Sequence, residues 1–133
     1  MSTHYRATFT SEPRNAALAR RSIASFASVC GFSEREVADI RLAAGEAVSN
    51  AVEYGRNRHS GGFTVRCKFE DDCLTIEILD SGAGLRSPNV RVVGSDEQRR
   101  GIGIFLMRHL MDDVQFARDG TLVRLTRRHE TTA

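Results

Sequence analysis

Glu46 and Asn50 stand four residues apart in Ala43-Ala44-Gly45-Glu46-Ala47-Val48-Ser49-Asn50-Ala51, a stretch otherwise almost bare of bulk. In a helix that spacing brings the two side chains within roughly 40° of each other. A carboxylate there can serve as a base, and a carboxamide oxygen can hold a hard cation. A solvated helix face would also accommodate Glu-x-x-x-Asn. Gly45, however, costs about 1 kcal/mol relative to alanine in a helix interior, so something is expected to approach this face closely.

Two glycine clusters complete the set. Asp80-Ser81-Gly82-Ala83-Gly84 ends an apolar run. A carboxylate at Asp80 can accept a charge-assisted hydrogen bond from an exocyclic amine, worth roughly 1.5–3 kcal/mol. Gly82 and Gly84 would let a planar base pass near the backbone. Taken alone, the motif reads better as an ordinary Asp-Ser-Gly turn. Gly101-Ile102-Gly103 precedes Ile104-Phe105-Leu106-Met107 and reads as the opening of a buried helix. Its free N–H groups and dipole would suit a polyphosphate, with Arg99 and Arg100 adding charge or simply being solvated. A Rossmann motif is not present, because a polar segment rather than an apolar strand precedes these glycines. In this order the three elements can build one site for ATP.

The composition narrows the alternatives. Lys68 is the only lysine among 19 basic residues, which excludes a phosphate loop that needs Lys after its last glycine. The net charge of +2 is spread along the chain, and there is no tryptophan; direct nucleic-acid binding is therefore not expected. Cys30, Cys67 and Cys73 show no C-x-x-C spacing and read as small apolar residues in a reducing compartment. His4, His59, His109 and His129 are too dispersed for a zinc site. No apolar run approaches the roughly 20 residues of a membrane span. Met1 to Arg14 lacks the apolar core of a signal peptide, so a cytoplasmic protein without membrane contact is expected.

The elements that must position these residues can be read from periodicity. Tyr5, Ala7 and Phe9 alternate with polar residues and predict an opening strand. Ala19, Ile23, Phe26 and Cys30 have helical spacing, predicting a helix from about Arg14 to Cys30. Ser33-Glu34-Arg35-Glu36 is a capping box for a long helix expected to end at Tyr54, with Gly55 as its stop. Its core stripe is Val37, Ile40, Ala44, Val48 and Ala51. Phe63 to Phe69 and Leu74 to Ile78 alternate about Asp71-Asp72, a hairpin with one wet face. Val114 to Ala117 and Thr121 to Thr126 predict a second hairpin. Between them, residues 85–100 are polar and aperiodic and read as a loop, followed by a short helix from Gly103 to Met111. With 133 residues, one domain over 1–133 is expected, an α/β two-layer sandwich (α+β) with a mostly antiparallel sheet and helices on one face.

Read together, these motifs resemble the GHKL ATPases, which share the Bergerat ATP-binding fold and include gyrase B, MutL, heat-shock chaperones and histidine kinases. Glu46 to Asn50 is similar to the N-box, and Asp80 to Gly84 to the first glycine box. Gly101 to Gly103 resembles the second, and Gly120-Thr121 the closing Gly-Thr strand. Within that superfamily the chain most resembles the bacterial anti-sigma factors that are also serine-protein kinases. Ala24-Ser25-Phe26, Gly45 to Ala51, Met111-Asp112-Asp113-Val114 and Gly120 to Arg127 carry this. The chain leaves no room for the phospho-acceptor helices of a histidine kinase or for a gyrase-type transducer. Tyr54 departs from the family, which often has His there, and residues 85–100 match no pattern.

The resemblance implies a role for each residue. Glu46 would be the base for an incoming serine hydroxyl, and Asn50 would hold Mg²⁺. Asp80 would meet the adenine amino group, Gly84 the adenine edge, and Thr121 would help bind adenine. Gly101 and Gly103 would meet the phosphates. Arg20, beside Arg21, would touch protein partners. The implied protein is an ATP- and Mg²⁺-dependent serine-protein kinase that sequesters a sigma factor in stress-responsive transcription regulation. Its substrate would be a serine on an anti-sigma-factor antagonist, a STAS-domain protein, and the kinase could form a homodimer. The alternative is a nucleotide-gated protein-binding regulator without kinase activity; a sensor-kinase fragment acting on histidine is a third.

Overall fold

In the computed structural model the described residues form eight elements. These are β1 (Thr3–Thr10), α1 (Pro13–Val29), α2 (Glu34–Asn57), β2 (Gly62–Glu70), β3 (Cys73–Asp80), α3 (Ser95–Leu110), β4 (Asp113–Ala117) and β5 (Leu122–Arg128). The structure describes residues 2–57, 61–80, 95–118 and 121–129. The strands form one sheet in the order β1-β2-β3-β5-β4. Every pairing in it is antiparallel. The expected two-layer sandwich is thus the observed one.

Alternation along each strand decides which face is covered. Phe63, Val65 and Cys67 of β2, Leu74, Ile76 and Ile78 of β3, and Val123 and Leu125 of β5 share one face. On that face they meet Ile23 and Phe26 of α1, Ile40, Ala44 and Val48 of α2, and Met107 of α3. Each large apolar side chain so buried contributes about 1.5–3 kcal/mol. Cys67 belongs to this core, where burial, followed by the neighbouring Cys30, pushes its thiol up to about 12. The intervening residues, Thr64, Arg66 and Lys68 on β2 and Thr75 and Glu77 on β3, face the other way.

Local chemistry closes the elements. The Ser33 N–H donates to Glu36 Oε1 at 2.9 Å and the Glu36 N–H to Ser33 Oγ at 3.1 Å, completing the capping box. Asp71 and Asp72 turn the first hairpin with φ of 53° and 58°. A two-residue hairpin turn of this hand matches strand twist, and Asp tolerates the left-handed region.

Two boundaries differ from the sequence expectation. Helix α2 continues through Gly55 to Asn57, because glycine weakens a helix without forbidding it. Helix α3 begins at Ser95 rather than Gly103. Residues 95–100, Ser-Asp-Glu-Gln-Arg-Arg, have no apolar period, yet an acidic start and good helix formers favour a helix N-terminus. Residues 81–94, including Gly82 and Gly84, lie outside the described residues.

Candidate functional site

Helices α2 and α3 bring Glu46 to Gly103. A methyl group at Gly103 would stand 3.1 Å from Glu46 Oε1. The bare backbone of α3 therefore leaves the space in front of this carboxylate open. Glu46 is half-buried, as is Asn50 one turn along α2, and Gly103 itself is buried. Gly101 faces open space, with nothing within 4 Å of where its side chain would begin.

Gly45 serves a different neighbour from the one its position suggested. A methyl there would lie 2.6 Å from Cδ of Arg20. The close approach is made by the stem of an arginine from α1. This separates two residues that adjacency in sequence could not. Arg20 is half-buried, with its stem against Gly45, whereas Arg21 is exposed.

At the sheet end the β3–β5 register sets Leu79 opposite Leu122. One step further, the Asp80 N–H donates to the Thr121 carbonyl at 2.7 Å. Asp80 continues the row Leu74, Ile76, Ile78 and so belongs to the face covered by α2; it is only 7% exposed. The Thr121 hydroxyl donates to the Arg118 carbonyl at 2.7 Å, where Arg118 adopts a φ of 53°. Two residues more than forty positions apart are thereby joined through their backbones.

One expectation about phosphates is corrected. Gly101 and Gly103 do not open α3: they are its seventh and ninth residues. Interior N–H groups of an α-helix are committed to carbonyls one turn back, so the free donors and the positive end of the dipole are at Ser95. Arg99 and Arg100 likewise fall within the helix. What Gly103 offers is its missing side chain.

Arg127 escaped notice in the sequence. Its Nη1 donates to the Leu110 carbonyl at the end of α3, and it lies 3.7 Å from the Asp39 carboxylate of α2. It holds β5, α3 and α2 together. A signal was present, because Arg127 occupies an inward position in the alternation Val123, Leu125, Arg127.

The donor set suits a magnesium nucleotide. Mg²⁺ takes oxygen ligands and is bound by one or two side chains together with substrate phosphates; the half-buried Asn50 carboxamide supplies such an oxygen, with the Glu46 carboxylate one turn away. The buried Asp80 carboxyl at a strand end suits an amine donor.

This two-layer architecture, with the long helix bearing Glu46 and Asn50 laid over an antiparallel sheet, is that of a GHKL-type ATPase domain. Residues 9–127 match the family model of the histidine kinase-like ATPase domain, and the chain belongs to that family. It is 32% identical over 127 residues to an anti-sigma F factor of Caldanaerobacter subterraneus subsp. tengcongensis, covering 90% of this chain and 89% of that one. It is 31% identical over 127 residues to a serine-protein kinase RsbW of Listeria innocua, covering 87% of this chain and 81% of the relative. A solved structure of the RsbU and RsbW domains of a Mycobacterium tuberculosis protein superposes with a TM-score of 0.74 at 21% identity. That match covers 98% of this chain and 34% of the longer one. Among the described residues, no helix is long and apolar enough to cross a membrane.

Proposed function

We infer that this protein is an ATP-dependent serine-protein kinase and anti-sigma factor. It sequesters a sigma factor and phosphorylates a serine on the antagonist of that complex. The observation that carries the reading is the Glu46 carboxylate facing the bare backbone of Gly103, with Asn50 one turn away. A pure nucleotide binder has no use for a base at that place.

In this reading Glu46 accepts the proton of the substrate hydroxyl as its oxygen bonds to the terminal phosphorus of ATP, while the bond from that phosphorus to the bridging oxygen breaks and ADP leaves. Asn50 would hold Mg²⁺, which would supply charge neutralisation for the transfer. Asp80 accepts from the adenine amino group, with Thr121 beside it. Gly82 and Gly84 would line the base, Arg99 and Arg100 would add charge near the phosphates, and Gly103, through its missing side chain, would let them approach Glu46. Arg20, its stem seated on Gly45, presents its guanidinium to protein partners. Phosphorylation of the antagonist leaves the sigma factor bound, so the transcriptional effect passes through proteins in the cytoplasm. A homodimer and a place in stress response belong to this reading as what the family resemblance implies.

The test is transfer of labelled phosphate from ATP to a candidate antagonist by the wild type and Glu46→Gln. A positioned base contributes ~10²–10⁴-fold, so the variant should bind ATP normally and transfer at least about a hundredfold more slowly. ATP binding without phosphoserine in either protein would leave only a nucleotide-gated regulator. Acid-labile product would point to phosphohistidine.

A further inference from the structure

The helix-free face of the sheet holds an open depression of about 550 Å³ lined by His4, Arg6, Arg66, Lys68, Glu77 and Arg124 among others. Four permanent cations there meet one carboxylate, a net +3 on a chain whose total is only +2. The strand register makes the crowding direct: Arg6 is opposite Arg66, and His4 opposite Lys68. Like charges directly opposed across a strand pair are destabilising. A local rule broken in this way is characteristic of functional surfaces.

Part of the charge is organised rather than neutralised. Glu77 holds Arg66 Nη2 at 3.0 Å and Arg124 Nη2 at 2.8 Å. Arg124 Nε adds a second bond to the same carboxylate at 3.0 Å. Glu70 takes Lys68 at 2.8 Å at the margin. Arg6 is exposed, and among the described residues it forms no ion pair. Arginine carries five N–H donors, so the guanidiniums on Glu77 keep donors to spare while their rotamers are restrained. Restraint of this kind lowers the entropy lost on binding.

We propose that this face binds an extended acidic segment of a protein partner, with carboxylates at alternate residues. His4 and Arg6 on β1, and Arg66 and Lys68 on β2, each repeat at every second residue. That is a spacing of about 6.6–6.8 Å, the same at which an extended segment presents side chains on one side. The depression is shallow, so a single small anion would stay largely hydrated, whereas a segment spanning both rows makes several contacts at once. A second copy of this chain would oppose the same cations. The proposal is independent of the kinase reading, because Glu46 lies on the other side of the sheet.

The test uses the full chain with ADP present and a fluorescein-labelled decapeptide of alternating Asp and Ser. Alternating Lys-Ser peptide, inorganic triphosphate and oligothymidylate serve as comparisons, and binding is read by anisotropy. Wild type should bind the acidic peptide and lose about tenfold in affinity between about 50 mM and about 300 mM NaCl. Arg6→Glu should weaken binding by at least about tenfold. Arg6→Thr should weaken it less, with its melting temperature unchanged or raised and ADP affinity unaffected. A residue with only a structural role would lower the melting temperature instead. The proposal is overturned if wild type ignores the acidic peptide or if Arg6→Glu binds it equally. It is also overturned if triphosphate displaces the peptide at equal molarity, if oligothymidylate binds more tightly, or if Arg6→Glu changes self-association in sedimentation velocity.

Discussion

Replacing Gly103 with alanine sets two effects against each other at one atom. Gly103 lies inside α3, and alanine is favoured over glycine in a helix interior by about 1 kcal/mol. For a chain of this size that corresponds to a rise of roughly 3–5 °C in melting temperature. The new methyl, however, would stand 3.1 Å from Glu46 Oε1 and 3.6 Å from its Cδ. The carboxylate must retreat by a few tenths of an ångström, which a half-exposed side chain can do at little cost in stability. Catalysis is less tolerant, since a displacement of about 1 Å can cost ~10²-fold. Gly103→Ala is therefore expected to be more stable and to transfer phosphate about tenfold more slowly, a barrier rise of about 1.4 kcal/mol. Gly101→Ala is the control, because nothing lies within 4 Å of its added methyl: the same stabilisation should come without loss of transfer. Thermal melts and single-turnover phosphotransfer measure both quantities. A stabilised Gly103→Ala with unaltered transfer would falsify the placement of Glu46 at the reacting centre. Equal losses in both variants would refute the contact with Gly103.

Three further outcomes follow from the same geometry. Gly45→Ala puts a methyl 2.6 Å from Arg20 Cδ, so the arginine stem must rotate away. The helix gain of about 1 kcal/mol should be offset by lost packing, leaving the melt nearly unchanged while affinity for protein partners falls as far as in Arg20→Ala. Unequal losses in a pull-down would separate the two positions. Arg127→Met removes the donor to the Leu110 carbonyl and the partner of Asp39. With Arg127 only 16% exposed, urea unfolding should show a loss of about 1–3 kcal/mol, and a change below about 0.5 kcal/mol would show the tie to be incidental. Cys67 has its thiol raised to about 12 in the fold against about 8.5 in an unfolded chain. The folded state thus keeps a proton that the unfolded state loses, so stability should fall by up to about 1.4 kcal/mol per pH unit above about pH 9. Urea melts from pH 8 to about pH 10 should show this slope flattened in Cys67→Ala; an identical slope would assign it to other groups.

Much of the fold was legible because its signals are local. Alternation in Phe63-Val65-Cys67 and Leu74-Ile76-Ile78 marked both the strands and their buried face, and Ser33 with Glu36 marked the start of α2. The first turns of α3 were not legible, since Ser95 to Arg100 carries no apolar period, and helix propensity and an acidic start leave none to read. The end of α2 was misjudged for a related reason: Gly55 lowers helix stability by an amount that the preceding turns outweigh. The alternation of β5 points Arg127 inward, but its charge argues for solvent, and only the packing of α2 and α3 supplies the Asp39 carboxylate and Leu110 carbonyl that it meets.

The sequence by itself determined that Glu46 and Asn50 share a helix face and that Asp80 closes an apolar strand, because those relations depend on spacing of a few residues along one chain. Only the tertiary structure decided that Arg20 and not Arg21 rests on Gly45, that Gly103 stands before the Glu46 carboxylate, and that Asp80 meets Thr121. Such pairings arise from how helices settle on a sheet and from the register of strands distant in sequence. No local periodicity encodes them, and the shared core that sets them exists only once every element is in place.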